Sequence, residues 1–367
     1  MNKLHNIVIF TLLSLLLLPS PSHAQYANKR MRSKFEAYTD SLKNIEYDRV
    51  FPFWGAKAYK QGIDIQYPLG LMANYFWTNQ GVRIENFQLG FDNAHDGLFE
   101  FPLTPLPESV LSFGDNRNQS WSFNVRPDLW IFPFIDLYGI FGYGNSTTTV
   151  EVQAFPNTPQ EVNFTSEVDQ GIATYGFGVL LAGGVGPVWI SMDNNFTWNK
   201  PELLDEATRA HVMGLRMGKL FRFQNKPQSN LSVWVGAMYL SMQSSTLGSI
   251  SLRDALPDDV WDNKDQFVNN YWNWYNNEAT DVQKRVADKI FTPIVDAIDN
   301  RNGESIVRYN MDKQTKQHWN GLIGLQYQIN KTWQFRTEGG VIGDRKSILL
   351  SLNYRFLGFK KKTRIPN

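Results

Sequence analysis

Beyond residue 24 the chain has no apolar run near the roughly 18 residues a membrane helix needs, yet apolar and polar residues alternate in short stretches throughout. From Trp121 the odd positions read Trp121, Phe123, Val125, Pro127, Leu129 and Ile131, against Ser122, Asn124, Arg126, Asp128 and Trp130. The pattern recurs at Ile135, Leu137, Gly139, Phe141 and Tyr143, and again at Tyr175, Phe177, Val179 and Leu181. Val188, Ile190 and Met192 oppose Ser191, Asp193 and Asn195, while Trp333, Phe335, Thr337 and Val341 oppose Gln334, Arg336 and Glu338. The last run is Ile348, Leu350, Leu352, Tyr354 and Phe356, opposite Ser347, Ser351, Asn353 and Arg355. Side chains on a strand point alternately to its two faces. Each stretch is therefore a ribbon with one apolar, aromatic face and one face of polar, charged or glycine residues.

A soluble β-sandwich has similar strands, so the connections must decide. Short ones lie at Phe132-Pro133-Phe134, Gly183 to Pro187, Gln224 to Gln228 and Asn330-Lys331. Long ones lie near 93–117, 145–165, 199–207 and 243–315, with a tight exception at Gly343 to Lys346. Short and long alternate along the chain, as the periplasmic turns and extracellular loops of a transmembrane barrel do. The expected fold is all-β: a transmembrane antiparallel up-and-down β-barrel of ten strands with a helical extracellular loop insertion. The strands fall near 70–91, 118–131, 134–145, 166–182, 188–198, 208–223, 229–242, 316–329, 331–342 and 346–356. Asn79-Gln80-Gly81 would suit a hairpin turn, but that makes the count odd, so 70–91 is read as one strand. Twelve strands is the alternative, if residues near 303–312 join the wall.

The first 24 residues carry a separate signal. Lys3 supplies a positive start, Ile7 to Leu18 an apolar core and Ser22-His23-Ala24 a small-residue cleavage site, the features of a secretory signal peptide. The expected organisation is a signal peptide over 1–24 and a periplasmic segment over 25–66, with helical spacing from Tyr38 to Tyr47. A barrel follows over 67–357, and a basic periplasmic tail over 358–367. Within the loop 243–315, Val282, Val286, Ile290 and Ile294 recur every four residues opposite Asp281, Lys284, Arg285 and Asp288. That spacing is an amphipathic helix. Upstream, Tyr271, Trp272, Trp274 and Tyr275 crowd among asparagines. The segment reads as a cap burying its own apolar stripe, or as a surface for a partner or for lipid.

Composition excludes several classes. With no cysteine there is neither disulfide nor thiolate metal site. The 36 basic and 35 acidic residues leave no surplus for nucleic acid. A mean hydropathy of −0.36 does not fit a helical membrane protein. Aromatics reach 14% and charges only 19%, which fits interfacial girdles on a lipid-facing wall.

The stretches Arg126 to Tyr143, Tyr175 to Gly184 and Asp193 to Trp198 resemble a family of uncharacterised bacterial outer-membrane β-barrel proteins, exported and porin-like. The resemblance implies a Gram-negative outer membrane and carries no known chemistry. Leu352-Asn353-Tyr354-Arg355-Phe356 resembles the aromatic-ending last strand read by the barrel-assembly machinery, which makes Leu352, Tyr354 and Phe356 the expected assembly signal. Eleven residues, Leu357 to Asn367, follow it.

Candidate chemistry is sparse. Downstream of residue 24 the histidines are His95, His211 and His318, all in or beside expected extracellular loops. His95-Asp96 is catalytic-looking, since a carboxylate can orient an imidazole, and in residue type it resembles the His and Asp residues of omptin proteases. A polar turn explains the same pair. No histidine pair has metal-ligand spacing, no Gly-x-Ser-x-Gly elbow occurs, and no cofactor is expected. The inward polar residues weigh more: Arg126, Asp128, Asp136, Asp193, Arg216, Arg222, Arg336, Glu338 and Arg355. Ten strands lie just above the eight whose interior fills with side chains, so these charges are expected to pair across a filled lumen. The alternative is a polar path, with Gly142, Gly144, Gly176 and Gly178 making room.

The sequence thus points to an outer-membrane barrel that is non-enzymatic, a narrow channel for small solutes or a scaffold presenting loops. Its expected partners are outer-membrane lipids, the barrel-assembly machinery and a small solute. The alternative is a barrel enzyme on envelope lipids or surface peptides, such as a lipid A deacylase, phospholipase or omptin-like protease.

Overall fold

The computed structural model describes residues 33–92, 100–106, 108, 111–154, 162–204, 207–242, 245–256, 258–300 and 302–361. The expected leader 1–24 and the His95-Asp96 pair lie outside these residues, as does the end of the tail.

Ten strands form the wall: β1 (Leu69–Asp92), β4 (Arg117–Phe132), β5 (Ile135–Ala154), β6 (Val162–Val185), β7 (Val188–Pro201), β8 (Thr208–Phe223), β9 (Lys226–Met242), β12 (Trp319–Gln328), β13 (Trp333–Ile342) and β14 (Lys346–Phe356). Four shorter strands lie beyond it: β2 (Glu100–Pro105), β3 (Leu111–Phe113), β10 (Ser245–Ser251) and β11 (Ile306–Thr315). All pairings are antiparallel. The wall closes because β1 pairs on one side with β4, from Leu69↔Leu129 to Gly81↔Arg117. On its other side it pairs with β14, from Leu69↔Phe356 to Asn79↔Lys346. The barrel has ten strands, and β1 runs unbroken through Asn79-Gln80-Gly81. Residues 306–315 do form a strand, but β11 pairs with the outer end of β1 and with β10. It adds nothing to the strand count of the wall.

Two expectations about connections are corrected. The segment 145–165 is mostly strand, because β5 and β6 stay in register from Ile135↔Leu181 out to Ala154↔Val162. Paired backbone continues well past the membrane there, and only 155–161 connects. Strand β7 likewise runs on to Pro201, in register with Ile172.

The outer surface inverts the rule for soluble proteins. Phe123, Phe141, Tyr175, Phe177, Ile190 and Met217 are all exposed, and all sit on the faces expected to meet lipid. Aromatic rings gather at two levels. One includes Trp333, Tyr354 and Phe356, with ring separations of 4.7 and 4.8 Å, beside Phe132 and Phe134. The other includes Trp121 with Phe123, Tyr175 stacked on Trp198 at 5.8 Å, and Tyr239 with Trp319. These are the girdles of a membrane-spanning wall. The spanning part runs from the level of Phe132 to that of Trp121 and its register partner Trp77.

Above that level β1 leaves the wall. A bulge between Glu85 and Gln88, with Asn86 at a positive φ of 51°, shifts the register. A bulge inserts an unpaired residue, so the inward set changes parity. Gln80 and Ile84 line the interior before it, Phe87 and Leu89 after it. The outer part of β1 then pairs with β2 and β11, and β11 with β10, as an outer extension of the same 14-stranded sheet.

Helices close both ends. Helix α1 (Lys34–Lys43) has a full capping box, Ser33 with Glu36, and ends at Lys43, four residues short of the expected Tyr47. It is followed by α2 (Gly55–Lys60). The Phe35 amide bonds the turn carbonyl of Gln224, and the Phe53 amide bonds Ile131. This places the N-terminal segment over the mouth at the end of the short turns, which is the periplasmic end in barrels of this kind. The tail pairs with it through Val50–Phe359 and Lys361–Asp48 hydrogen bonds. At the other end lie α3 (Leu252–Ala255), α4 (Asp258–Asp262), α5 (Lys264–Asn277) and α6 (Asp281–Asp299). Tyr271, Trp274, Ala287, Val295 and Ile298 form one core with Phe91 and Val307 of the outer strands. Of the α6 stripe, Val286 and Ile294 pack against this core, while Val282 is exposed. No described helix is long and apolar enough to cross a membrane.

Phe141, 58% exposed near mid-wall, tests the facing. Phe141→Arg should lower the unfolding free energy by about 2–4 kcal/mol, the range for arginine at a bilayer midplane, as measured by urea titration in lipid vesicles.

Candidate functional site

All nine lumen residues singled out in the sequence line one cavity of about 1640 Å3. It runs from Phe35 and Gln61 to Gln66 of the N-terminal segment, past the wall, to Tyr271 and Trp274 of the cap. The lumen is therefore not filled from end to end, although side chains cross it at two levels.

The first crossing is built by five strands. The Arg216 guanidinium of β8 grips Glu338 of β13 with two hydrogen bonds, from Nε at 2.6 Å and Nη2 at 2.9 Å. Its third nitrogen pairs with Asp193 of β7. Glu338 also accepts from Arg336 at 3.0 Å and from Trp234 Nε1 at 2.8 Å. The Arg336 guanidinium lies over the Trp234 ring, 4.9 Å from its centroid. Asp193 accepts from Asn195, which in turn accepts from Tyr138. Each carboxylate thus meets several donors. A buried ion pair needs this to offset the loss of water.

The second crossing lies nearer the periplasm. Arg355 of β14 reaches Asp128 of β4 at 2.6 Å and the Tyr67 carbonyl at 2.9 Å, both side chains being buried. Asp136 lines the cavity nearby, and its Oδ1 has no hydrogen-bond partner among the described residues. Arg126 bonds Asn124 at 3.2 Å and lies over the Tyr138 ring. Arg222 stands apart. It is exposed at the periplasmic end, over the Phe35 ring.

The inward glycines do not widen a path. A Cβ at Gly178 would strike the Tyr138 ring, and one at Gly324 would strike Trp234. Gly142 and Gly144 sit tight against the backbone of β4. Glycine lets the large inward side chains lie flat across the wall.

The histidines are not brought together. His211 points outward, stacked on Phe196 at 4.7 Å, with Nε2 3.2 Å from Asn194 Oδ1. His318 Nδ1 lies 2.9 Å from the Leu240 carbonyl. Among the described residues neither bonds a serine or a carboxylate. Among the described residues no group of three or more His, Cys, Asp or Glu is placed to hold a metal.

Several members of the site were not singled out in the sequence. Trp234, Tyr138 and Asn195 complete the first crossing, and their strand parity alone would have placed them inward. The periplasmic closure was also missed. Lys331, in the β12–β13 turn, pairs with Asp64 and lies over the rings of Tyr38, Tyr59 and Tyr67 at 5.6–5.7 Å. Tyr38 donates to Asp64 at 3.1 Å. Burial pushes the Tyr38 phenol up to about 12. Burial alone would lower Lys331, but Asp64 and Tyr38 outweigh it and raise the ammonium above the usual lysine range.

A closed wall, apolar with aromatic girdles outside and polar inside, defines an outer-membrane β-barrel. No protein-family model matches the chain, and no curated protein matches it in sequence. Among solved structures, the translocator domain of the autotransporter NalP from Neisseria meningitidis is similar at 10% identity and a TM-score of 0.30, over 88% of this chain and 93% of that one. The outer membrane protein OprG from Pseudomonas aeruginosa is similar at 10% identity and a TM-score of 0.33, over 80% and 100%. A FadL homologue from Pseudomonas aeruginosa follows at 8% and 0.24, over 82% and 92%. At such scores the superpositions are loose, and the class rests on the barrel's own geometry.

Two outcomes follow. Glu338→Ala leaves Arg216 and Arg336 facing each other without a carboxylate between them. It should cost about 3–5 kcal/mol of stability, read as an earlier heat-induced gel shift, whereas Arg83→Ala at the 61% exposed rim pair should change it by about 0–1 kcal/mol. The periplasmic closure has a defined pH window. Both Tyr38 and Lys331 hold their protons more tightly when docked, so their contribution is complete below about pH 10 and falls as pH rises beyond it. Protease protection of residues 33–66 should stay constant from about pH 6 to 10 and drop toward pH 12. In Lys331→Met that protection should be weak at every pH.

Proposed function

We propose that this protein is a non-enzymatic outer-membrane barrel whose lumen admits small solutes, in a closed resting state. On this reading it is exported by a cleaved leader to a Gram-negative outer membrane. There Leu352, Tyr354 and Phe356, on the lipid side of β14, present the signal to the barrel-assembly machinery. The observation that carries the reading is continuity. One cavity touches the N-terminal segment at one end and the cap at the other, with paired charges between them. A scaffold that only presents loops needs no such interior.

The cap supports a scaffold as the second reading, because its helices bury a core shared with the outer strands through Phe91 and Val307. Against the enzyme alternative, His211 meets the Asn194 amide, while His318 meets the Leu240 carbonyl and, at 3.5 Å, the Thr315 hydroxyl; no carboxylate among the described residues bonds either ring.

The mature chain should fractionate with the outer membrane and shift on heating in gels. In planar bilayers the intact protein should conduct weakly, and deletion of residues 33–66 should raise conductance at least severalfold. Equal conductance with and without that segment would favour the scaffold.

A further inference from the structure

We propose that the outer part of the lumen binds a single-chain amphiphile with a carboxylate head, held between Lys313 and Arg345, with its alkyl chain beneath the helical cap. This rests on reading the cavity as a solute compartment, but not on passage through the barrel.

Two cations carry the argument. Lys313, on β11, lines the cavity and donates to the Thr148 hydroxyl at 3.1 Å. No carboxylate among the described residues pairs with it. Arg345, in the β13–β14 turn, is 2% exposed and lines the same cavity. Its Nε donates to Gln80 at 2.7 Å, while both terminal nitrogens have no hydrogen-bond partner among the described residues. The adjacent Asp344 is engaged elsewhere, by the Gly81 amide and by Arg117 at 3.7 Å. Both cations lie outside the spanning wall. Burial pushes the Lys313 ammonium down to about 8 and the Arg345 guanidinium down to about 10.

They flank one polar rung. Gln80 stands opposite Asn118 in register, and the Asn118 amide donates to Ser146 at 2.7 Å and to Thr148 at 2.8 Å. Arg345 meets this rung at Gln80, and Lys313 meets it at Thr148. Arg216 and Arg336, by contrast, are compensated by Glu338, Arg355 by Asp128, and Lys331 by Asp64. A charge removed from water without a counter-ion is unfavourable; here the buried Arg345 guanidinium, with free donors, and the half-buried Lys313 ammonium meet the same rung. A carboxylate matches that fork with two parallel hydrogen bonds.

The neighbouring surface selects a chain. Phe87, Leu111, Val150, Leu240, Phe291 and Ile294 line the same cavity, toward the cap. Such a lining favours methylene groups over water.

The test is titration calorimetry on the full chain in nanodiscs of zwitterionic lipid. Dodecanoate should bind, acetate should not compete at equal concentration, and dodecanol should bind at least about tenfold more weakly. From octanoate to dodecanoate each added methylene should tighten binding by about three- to fourfold. Lys313→Met and Arg345→Met should each weaken dodecanoate about tenfold or more without changing dodecanol. The ligand comparison on the unaltered chain stands even if a variant fails to fold. Equal affinity for dodecanoate and dodecanol would overturn the cationic site. Acetate binding as tightly as dodecanoate, or no binding of dodecanoate at all, would overturn the amphiphile. A silent bilayer recording would count against solute passage alone.

Discussion

In hydrocarbon an unpaired amide or carbonyl has no water to bond, so a sheet that enters a membrane must have no edge. Here β1 meets that requirement, bonding β4 on one side and β14 on the other across the whole spanning region. Everything else is conditional on that seam. It puts the first and last wall strands side by side. It sets the shared level of Leu69, Leu129 and Phe356, and it brings the tail to Asp48 and Val50. It also fixes which parity faces lipid, and so which charges must find partners inside.

The interior answers the opposite problem. A ring of ten strands is too narrow for a wide water column and too wide for small residues to fill. The wall meets this by pairing large inward groups with facing glycines: Tyr138 over Gly178, Trp234 over Gly324, and Arg216 over Gly214. The rings and guanidinium then lie along the wall. In that position Trp234 can donate to Glu338 while Arg336 stacks on its face. Charge pairing and glycine placement are one arrangement, and the cavity is the space left beside it.

Much of this was legible in the sequence because a strand has a strict period of two. The parity of Trp121 to Ile131 and of Ile348 to Phe356 gave the lipid face, and the even count kept Asn79-Gln80-Gly81 inside one strand. The nine inward charges followed from the same parity. Their partners did not, because Arg216 finds Asp193 23 positions away and Glu338 122 positions away. Such pairing depends on how the sheet curls, not on any local pattern. Lys331 and Asp64 were hidden for the same reason. They stand in a turn and a coil 267 residues apart, where periodicity says nothing. The outer strands were missed because β5 and β6 carry polar residues on both faces once clear of lipid.

The least legible feature was the bulge at Asn86, and it shapes the outer half of the molecule. A single unpaired residue reverses the parity of β1, so Phe87 and Leu89 turn inward where continued alternation would have put Gln88 and Gly90. Because β1 has left the wall by then, its outer end carries β11 with it, and β11 delivers Tyr309, Met311 and Lys313 to the interior. The cap helices then rest on these added strands through Phe91 and Val307. The polar barrel is thereby extended by a chamber of different character, apolar at its roof and cationic at its floor. Lipid would not tolerate that chamber's polar backbone edges, which is why it begins only where the aromatic girdle ends.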